Sequence, residues 1–197
     1  MAITSRRIGV KKKERKFLLT ALIVFLMVIS VVGYAAYQWE DEESYNGYKF
    51  SYRNNYWSTK VSKVLFEFHY PPADAEQIEL SGNLAYDEYF LVHDLGKNIT
   101  ELESSAIDLA KYELSVQMTE KMGLPVDIAV FDSSSEDSSG KTLSCSDATS
   151  FIGVVEYSYG NETKIVNEDN CIRIIAKSDK ELIKANDRLL YGLLGII

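Results

Sequence analysis

Only two cysteines and two histidines occur in the 197 residues, and each scarcity removes a class of chemistry. Cys145 and Cys171 cannot close a zinc site by themselves, and His69 and His93 stand at no recognisable ligand spacing. Neither Ser144 nor Cys145 lies in a G-x-S-x-G elbow. There is no glycine-rich phosphate loop, no paired catalytic carboxylate signature, no metal motif and no internal repeat, so the sequence calls for no cofactor. Positive charge is also confined. Residues 1–16 carry seven Lys/Arg against Glu14 alone, a net +6, so a total of −8 leaves −14 on the remainder. A surface that acidic is repelled by nucleic acid and by anionic lipid, which excludes both as ligands of the main domain.

Charge is missing altogether from Phe17 to Tyr37, directly after Arg6, Arg7, Lys11, Lys12, Lys13, Arg15 and Lys16. As a helix rising about 1.5 Å per residue, such a run matches a hydrocarbon core roughly 30 Å thick. The basic flank on one side, and Glu40, Asp41, Glu42 and Glu43 on the other, place the N-terminus in the cytoplasm. Gly33-Tyr34-Ala35 offers small residues of the kind a signal peptidase reads, but the run exceeds a 7 to 15 residue h-region and has no polar break before them. No cysteine follows to carry lipid. The reading is a basic cytoplasmic tail (1–16), a transmembrane signal anchor (17–37), an acidic linker (38–46) and one extracytoplasmic domain (47–197), bound to the bilayer through residues 17–37.

Within that domain, Tyr48, Phe50 and Tyr52 alternate with Lys49, Ser51 and Arg53 as in a half-buried strand, and Asn54-Asn55 suits a hairpin turn. Val64, Phe66, Phe68 and Tyr70 share a face that Pro71-Pro72 terminates, with Glu67 and His69 on the other. Ile78 and Leu80 suggest a short strand, and Glu88–His93 a buried one. Thr100 and Glu103 form a capping box, after which Leu102, Ala106, Ala110 and Leu114 recur at i+4 with Ile107 beside them, leaving Glu101, Asp108, Lys111 and Glu120 largely on the other side; Gly123 and Pro125 end the helix. Val126–Phe131 reads as a central strand. The polar stretch from Asp132 to Lys141 reads as a loop; Asp132, Glu136 and Asp137 there lack the spacing of an EF-hand.

Phe151–Tyr159 and Thr163–Val166 flank Gly160-Asn161 as a hairpin, and Cys171–Ala176 is a further strand. Ser178 and Glu181 open a last helix with Leu182, Ile183, Leu189, Leu190, Leu193, Leu194 and Ile197 on one face and Glu181, Lys184, Asp187 and Arg188 opposite. The order of elements predicts an α/β or α+β layered domain with a mixed sheet and two main helices.

Cys145 and Cys171 both fall on the exported side, where a disulfide is the simplest reading; free buried thiols or a nucleophilic Cys145 are the alternatives. Asn98-Ile99-Thr100 and Asn161-Glu162-Thr163 are acceptor triplets for glycosylation at Asn98 and Asn161. His93-Asp94 could serve as base and orienter for Ser144 or Cys145, the constellation of a membrane-anchored hydrolase or thiol enzyme. Tyr45, Tyr48, Tyr52, Tyr56 and Tyr70 cluster as a binding face would, though tyrosine is equally a strand residue.

Asn170-Cys171-Ile172, followed by Asp187-Arg188-Leu189-Leu190-Tyr191 and Leu193-Leu194-Gly195-Ile196, resembles the closing third of uncharacterised membrane-anchored archaeal proteins. That resemblance implies a cell-surface setting and brings no activity with it. The expected function is therefore a surface-held binding or assembly module with a protein partner, with the anchored enzyme and an accessory subunit of a larger membrane complex as alternatives.

Overall fold

A computed structural model describes residues 6–37, 41–80, 82–94, 99–129 and 143–197, with side chains in the first helix described for residues 17–32. The chain divides into two units, Met1–Asp41 and Glu42–Ile197.

The first unit is a single helix, α1 (Arg6–Tyr37). Every side chain described in it is exposed, from Phe17 at 74% to Val32 at 60%. Among the described residues no helix is long and apolar enough to cross a membrane. The 16 positions from 17 to 32 rise about 24 Å, short of a full hydrocarbon core.

The second unit begins with an antiparallel meander of β1 (Asp41–Tyr45), β2 (Tyr48–Arg53), β3 (Tyr56–Val61) and β4 (Val64–Phe68), in that spatial order. Asn46-Gly47, Asn54-Asn55 and Ser62-Lys63 all hold positive φ, the condition for two-residue turns whose twist matches the strands they join. Part of the expected acidic linker is thus a strand: Asp41–Tyr45 finds a partner in β2 because Asn46-Gly47 folds it back. Phe50, Thr59 and Phe66 stand in one cross-strand row, all buried, with Thr59 Oγ1 donating to the Lys49 carbonyl at 2.8 Å.

Pro71-Pro72 ends the meander, but Pro72 then sits in the first turn of a short helix, α2 (Pro72–Ala75), where its missing N–H costs nothing. The strand expected at Ile78 and Leu80 does not form; Ile78 is instead buried as a core residue beyond α2.

The second sheet is mixed, in the order β6 (Val126–Ile128), β5 (Glu88–His93), β7 (Ile152–Tyr159), β9 (Cys171–Ala176), β8 (Lys164–Glu168). β5 pairs in parallel with β6 and β7, and β7 with β9, while β8 runs antiparallel to β9. Two expectations are corrected here. Val126–Ile128 is an edge strand rather than a central one, and the hairpin lies between β8 and β9, not between β7 and β8. Asp169 and Asn170, at φ 51° and 66°, make that turn, so the more apolar β9 takes the inner place between β7 and β8.

Two helices, α3 (Glu101–Val116) and α4 (Asp179–Leu193), form the intervening layer. The Thr100/Glu103 capping box is present on α3, and Ser178 Oγ accepts the Glu181 N–H at the start of α4. α3 passes into a π turn (Gln117–Met122) closed by Gly123 in the left-handed region at φ 72°. Its buried positions are Ile107, Ala110, Lys111 and Leu114, whereas Leu102 is 83% exposed, so the inward face is rotated from the stripe that the periodicity suggests.

α4 departs further from the expected amphipathic pattern, since Asp187 and Arg188 are only 6% and 7% exposed. The cause is contact on two sides. Asn186 Oδ1 accepts from the Tyr157 hydroxyl of β7 at 2.9 Å, while Tyr191 stacks on Phe68 of β4 with centroids 4.0 Å apart. A helix held between two sheets has no outer face along that stretch, and both sheets share one core through it.

Candidate functional site

The mixed sheet decides the fate of the sequence candidates. Successive strand residues point to opposite faces, and directly paired residues share one. His93 pairs with Tyr157, whose ring lies in the core beneath α4; Val92 pairs with Glu156, on the other face. His93 is fully buried against α3. Lys111 Nζ donates to its Nδ1 at 2.8 Å, to Asp108 Oδ1 at 3.0 Å and to the Ala129 carbonyl at 3.1 Å, and His93 Nε2 lies 3.1 Å from Ser104 Oγ. An ammonium donating to Nδ1 places the imidazole proton on Nε2, where it donates to Ser104, so both ring nitrogens are engaged within the protein.

Cys145 and Cys171 form a disulfide with Cα atoms 5.2 Å apart, and among the described residues no cysteine is free. Glu156 Oε2 lies 3.0 Å from Cys145 Sγ and accepts from Arg173 Nε at 3.2 Å. This group therefore lies on the face of the sheet that His93 does not. Ser144 caps the 3₁₀ turn Cys145–Asp147, its backbone N–H given to Asp147 Oδ2 at 2.9 Å. Asp94 is buried, follows His93 in the chain, and its charge acts on the imidazole. The structure does not unite His93 with Ser144 or Cys145: a β-sheet separates them. In the chain-entropy description a disulfide closing a loop of this length adds about 3.5 kcal/mol of stability.

Burial lowers the His93 pKa below 6.5, and the Lys111 charge lowers it further, against the opposing pull of Asp108 and Asp94. A lowered value means the unfolded chain binds the proton more readily. The stability that neutral His93 contributes is thus present above pH 6.5 and lost as the pH falls below it. Resistance to urea should fall on acidification from pH 7.5 to 5.5, by up to about 1.4 kcal/mol per pH unit below 6.5 from this group. His93→Gln should flatten that part of the profile.

A cleft of about 480 Å³ in the second unit lies where β3 and β4 meet α3, the π turn and α4. His69 Nε2 stands 3.2 Å from Glu113 Oε2 and its ring 4.9 Å from that of Tyr56. Lys121 reaches Glu67 at 3.4 Å, and Gln117 Nε2 donates to the Glu67 carbonyl at 2.6 Å. Gln117 Oε1 is enclosed with no hydrogen-bond partner among the described residues. Placed on a π turn, it is aimed differently from a residue in regular α-helix, and such turns recur at functional sites.

At the base of the cleft, Asp187 Oδ2 accepts the backbone N–H groups of His69 and Tyr70, both at 2.8 Å. Burial raises its pKa well above the usual carboxylate value, although those two N–H groups pull the other way. The cleft is equipped to hold a polar ligand between an imidazole–carboxylate pair and an amide acceptor. Sequence reading missed it: His69 looked like a plain outward strand residue, and Asp187 like a solvated one. The available signal was Asn186-Asp187-Arg188, three polar residues directly before the apolar run Leu189-Leu190-Tyr191.

Of the remaining sequence candidates, Asn161 is exposed in the β7–β8 connection, whereas Asn98, Asp132, Glu136 and Asp137 lie outside the described residues. The tyrosines divide: Tyr52 and Tyr56 are partly open at 38% each, Tyr45 and Tyr48 are half-buried against the core, and Tyr70 is half-buried. No protein family, curated protein or solved structure matches the chain.

Proposed function

We propose that the chain is a single-pass membrane protein, N-terminus in the cytoplasm, that holds residues 42–197 outside as a binding or assembly module. The observation that carries this is the charge-free run Phe17–Tyr37 behind seven basic residues. A helix whose described side chains, residues 17–32, are all exposed needs an apolar surround, and the 21 charge-free residues from 17 to 37 rise about 31 Å as a helix. In this reading Asn98 and Asn161 are glycan acceptors, and the polar cleft beside His69 is the ligand site.

A protein partner is favoured by a second feature. Leu102, Leu109 and Tyr112 lie at i, i+7 and i+10 on the outer side of α3, at 83%, 56% and 61% exposure, which suits a subunit docking there. A hydrolase or thiol enzyme built on His93 has no comparable support.

The topology is tested in intact cells. Protease added outside should digest the 42–197 domain while an epitope on residues 1–16 stays protected, and alkaline carbonate should leave the chain in the membrane. Protection of the domain, or release by carbonate, overturns the reading.

A further inference from the structure

A second cavity, about 390 Å³, opens on α4 beside the segment Gly82–Ala85. Its polar feature is Arg188, 93% buried, whose Nε donates to the Ile78 carbonyl at 2.9 Å while Nη1 has no partner among the described residues. A buried guanidinium with an unused donor is costly, because it has given up water on that nitrogen and received nothing in exchange. Burial pulls its pKa down, and the charges of Glu76 and Tyr45 oppose that.

The cavity is built rather than incidental. Its wall is pinned by Asn167 Nδ2 donating to the Asn83 carbonyl at 2.6 Å, by the Ala85 N–H donating to Asn83 Oδ1 at 3.0 Å, and by the Tyr89 hydroxyl donating to the Leu84 carbonyl. Leu80 and Leu84 pack directly on Gly192, where a methyl would meet them at 2.9 Å and Arg188 Nη1 at 3.8 Å and push both leucine ends aside. The remaining lining is apolar: Leu80, Leu84, Leu193 and Ile197.

We propose that this cavity is a binding site for a small monocarboxylate carrying an apolar tail, its carboxylate taken up by the Arg188 guanidinium and its tail against the leucines. The guanidinium fork matches a carboxylate, and the apolar wall selects what is attached to it. The Glu76 charge that acts on Arg188 and the net −14 of the chain beyond residue 16 repel a dianion about twice as strongly as a monoanion. The site is independent of the cleft beside His69 and of the membrane topology.

The test is calorimetric titration of the full chain in neutral-detergent micelles with hexanoate, acetate, hexanol and inorganic phosphate. Hexanoate should bind with a dissociation constant of about 1 mM or tighter, and the other three at least about tenfold more weakly. Arg188→Gln should weaken hexanoate by at least about tenfold. Gly192→Ala should do the same while leaving the charge and the unfolding temperature in place, because it meets only the movable ends of two leucine side chains. No heat with hexanoate, equal binding of hexanol, tighter binding of phosphate, or unchanged affinity in Gly192→Ala would each overturn the proposal.

Discussion

Replacing Asp187 by alanine is expected to remove about 2 to 6 kcal/mol of stability, because two backbone N–H groups lose their acceptor at about 1 to 3 kcal/mol each. Both donors, from His69 and Tyr70, reach the same carboxylate oxygen at 2.8 Å at the point where the chain leaves β4. A domain of this size holds only about 5 to 15 kcal/mol in total, so the variant should approach the edge of folding in urea titrations. Asp187→Asn keeps a carbonyl oxygen for the two donors and should cost much less.

The same pair of proteins carries a pH signature. The folded pKa of Asp187 is raised, so its contribution is fully present below the unfolded value of 3.8 and is lost as the pH climbs through the folded value. The stability of the native chain relative to Asp187→Asn should therefore fall as the pH rises above 3.8. An unchanging difference across the titration would show that the carboxylate is not desolvated in the folded state.

Phe68→Ala should cost about 3 to 5 kcal/mol, read as a shift in the urea midpoint without a change in slope. Phe68 is fully buried, stacks on Tyr191, and lies 6.2 Å centroid to centroid from Phe50, which meets Tyr191 edge-on at 5.9 Å. This ring cluster joins the antiparallel sheet to α4, so its truncation leaves a cavity that neither layer can close alone. The effect should fall short of additivity with Asp187→Ala, since the latter releases the backbone of His69, the next residue. A loss below about 1 kcal/mol would mean the two layers are not held by this contact.

What was legible in the sequence and what was not divide along a physical line. Strand β5, strand β9 and the caps on α3 and α4 follow from residues within a few positions of one another, so alternation and capping pairs predicted them. The turn at Asn54-Asn55 was visible for the same reason, since those residues tolerate a left-handed backbone. The sequence by itself determined the charge-free run, the acidity of everything after it, the pool of two cysteines and the positions of α3, α4 and most strands.

Only the tertiary structure decided which surfaces those elements bury. The place of β9 between β7 and β8 depends on pairing with β7 across the sheet, which no local pattern encodes. Lys111 went inward because α3 is rotated to meet His93, and Asp187 and Arg188 because α4 has a sheet on either side. The separation of His93 from Cys145 is of the same kind: the face to which a strand residue points has meaning only once the sheet exists. Burial is set by neighbours distant in the chain, and for that reason the His69 cleft and the Arg188 cavity emerged from packing rather than from sequence.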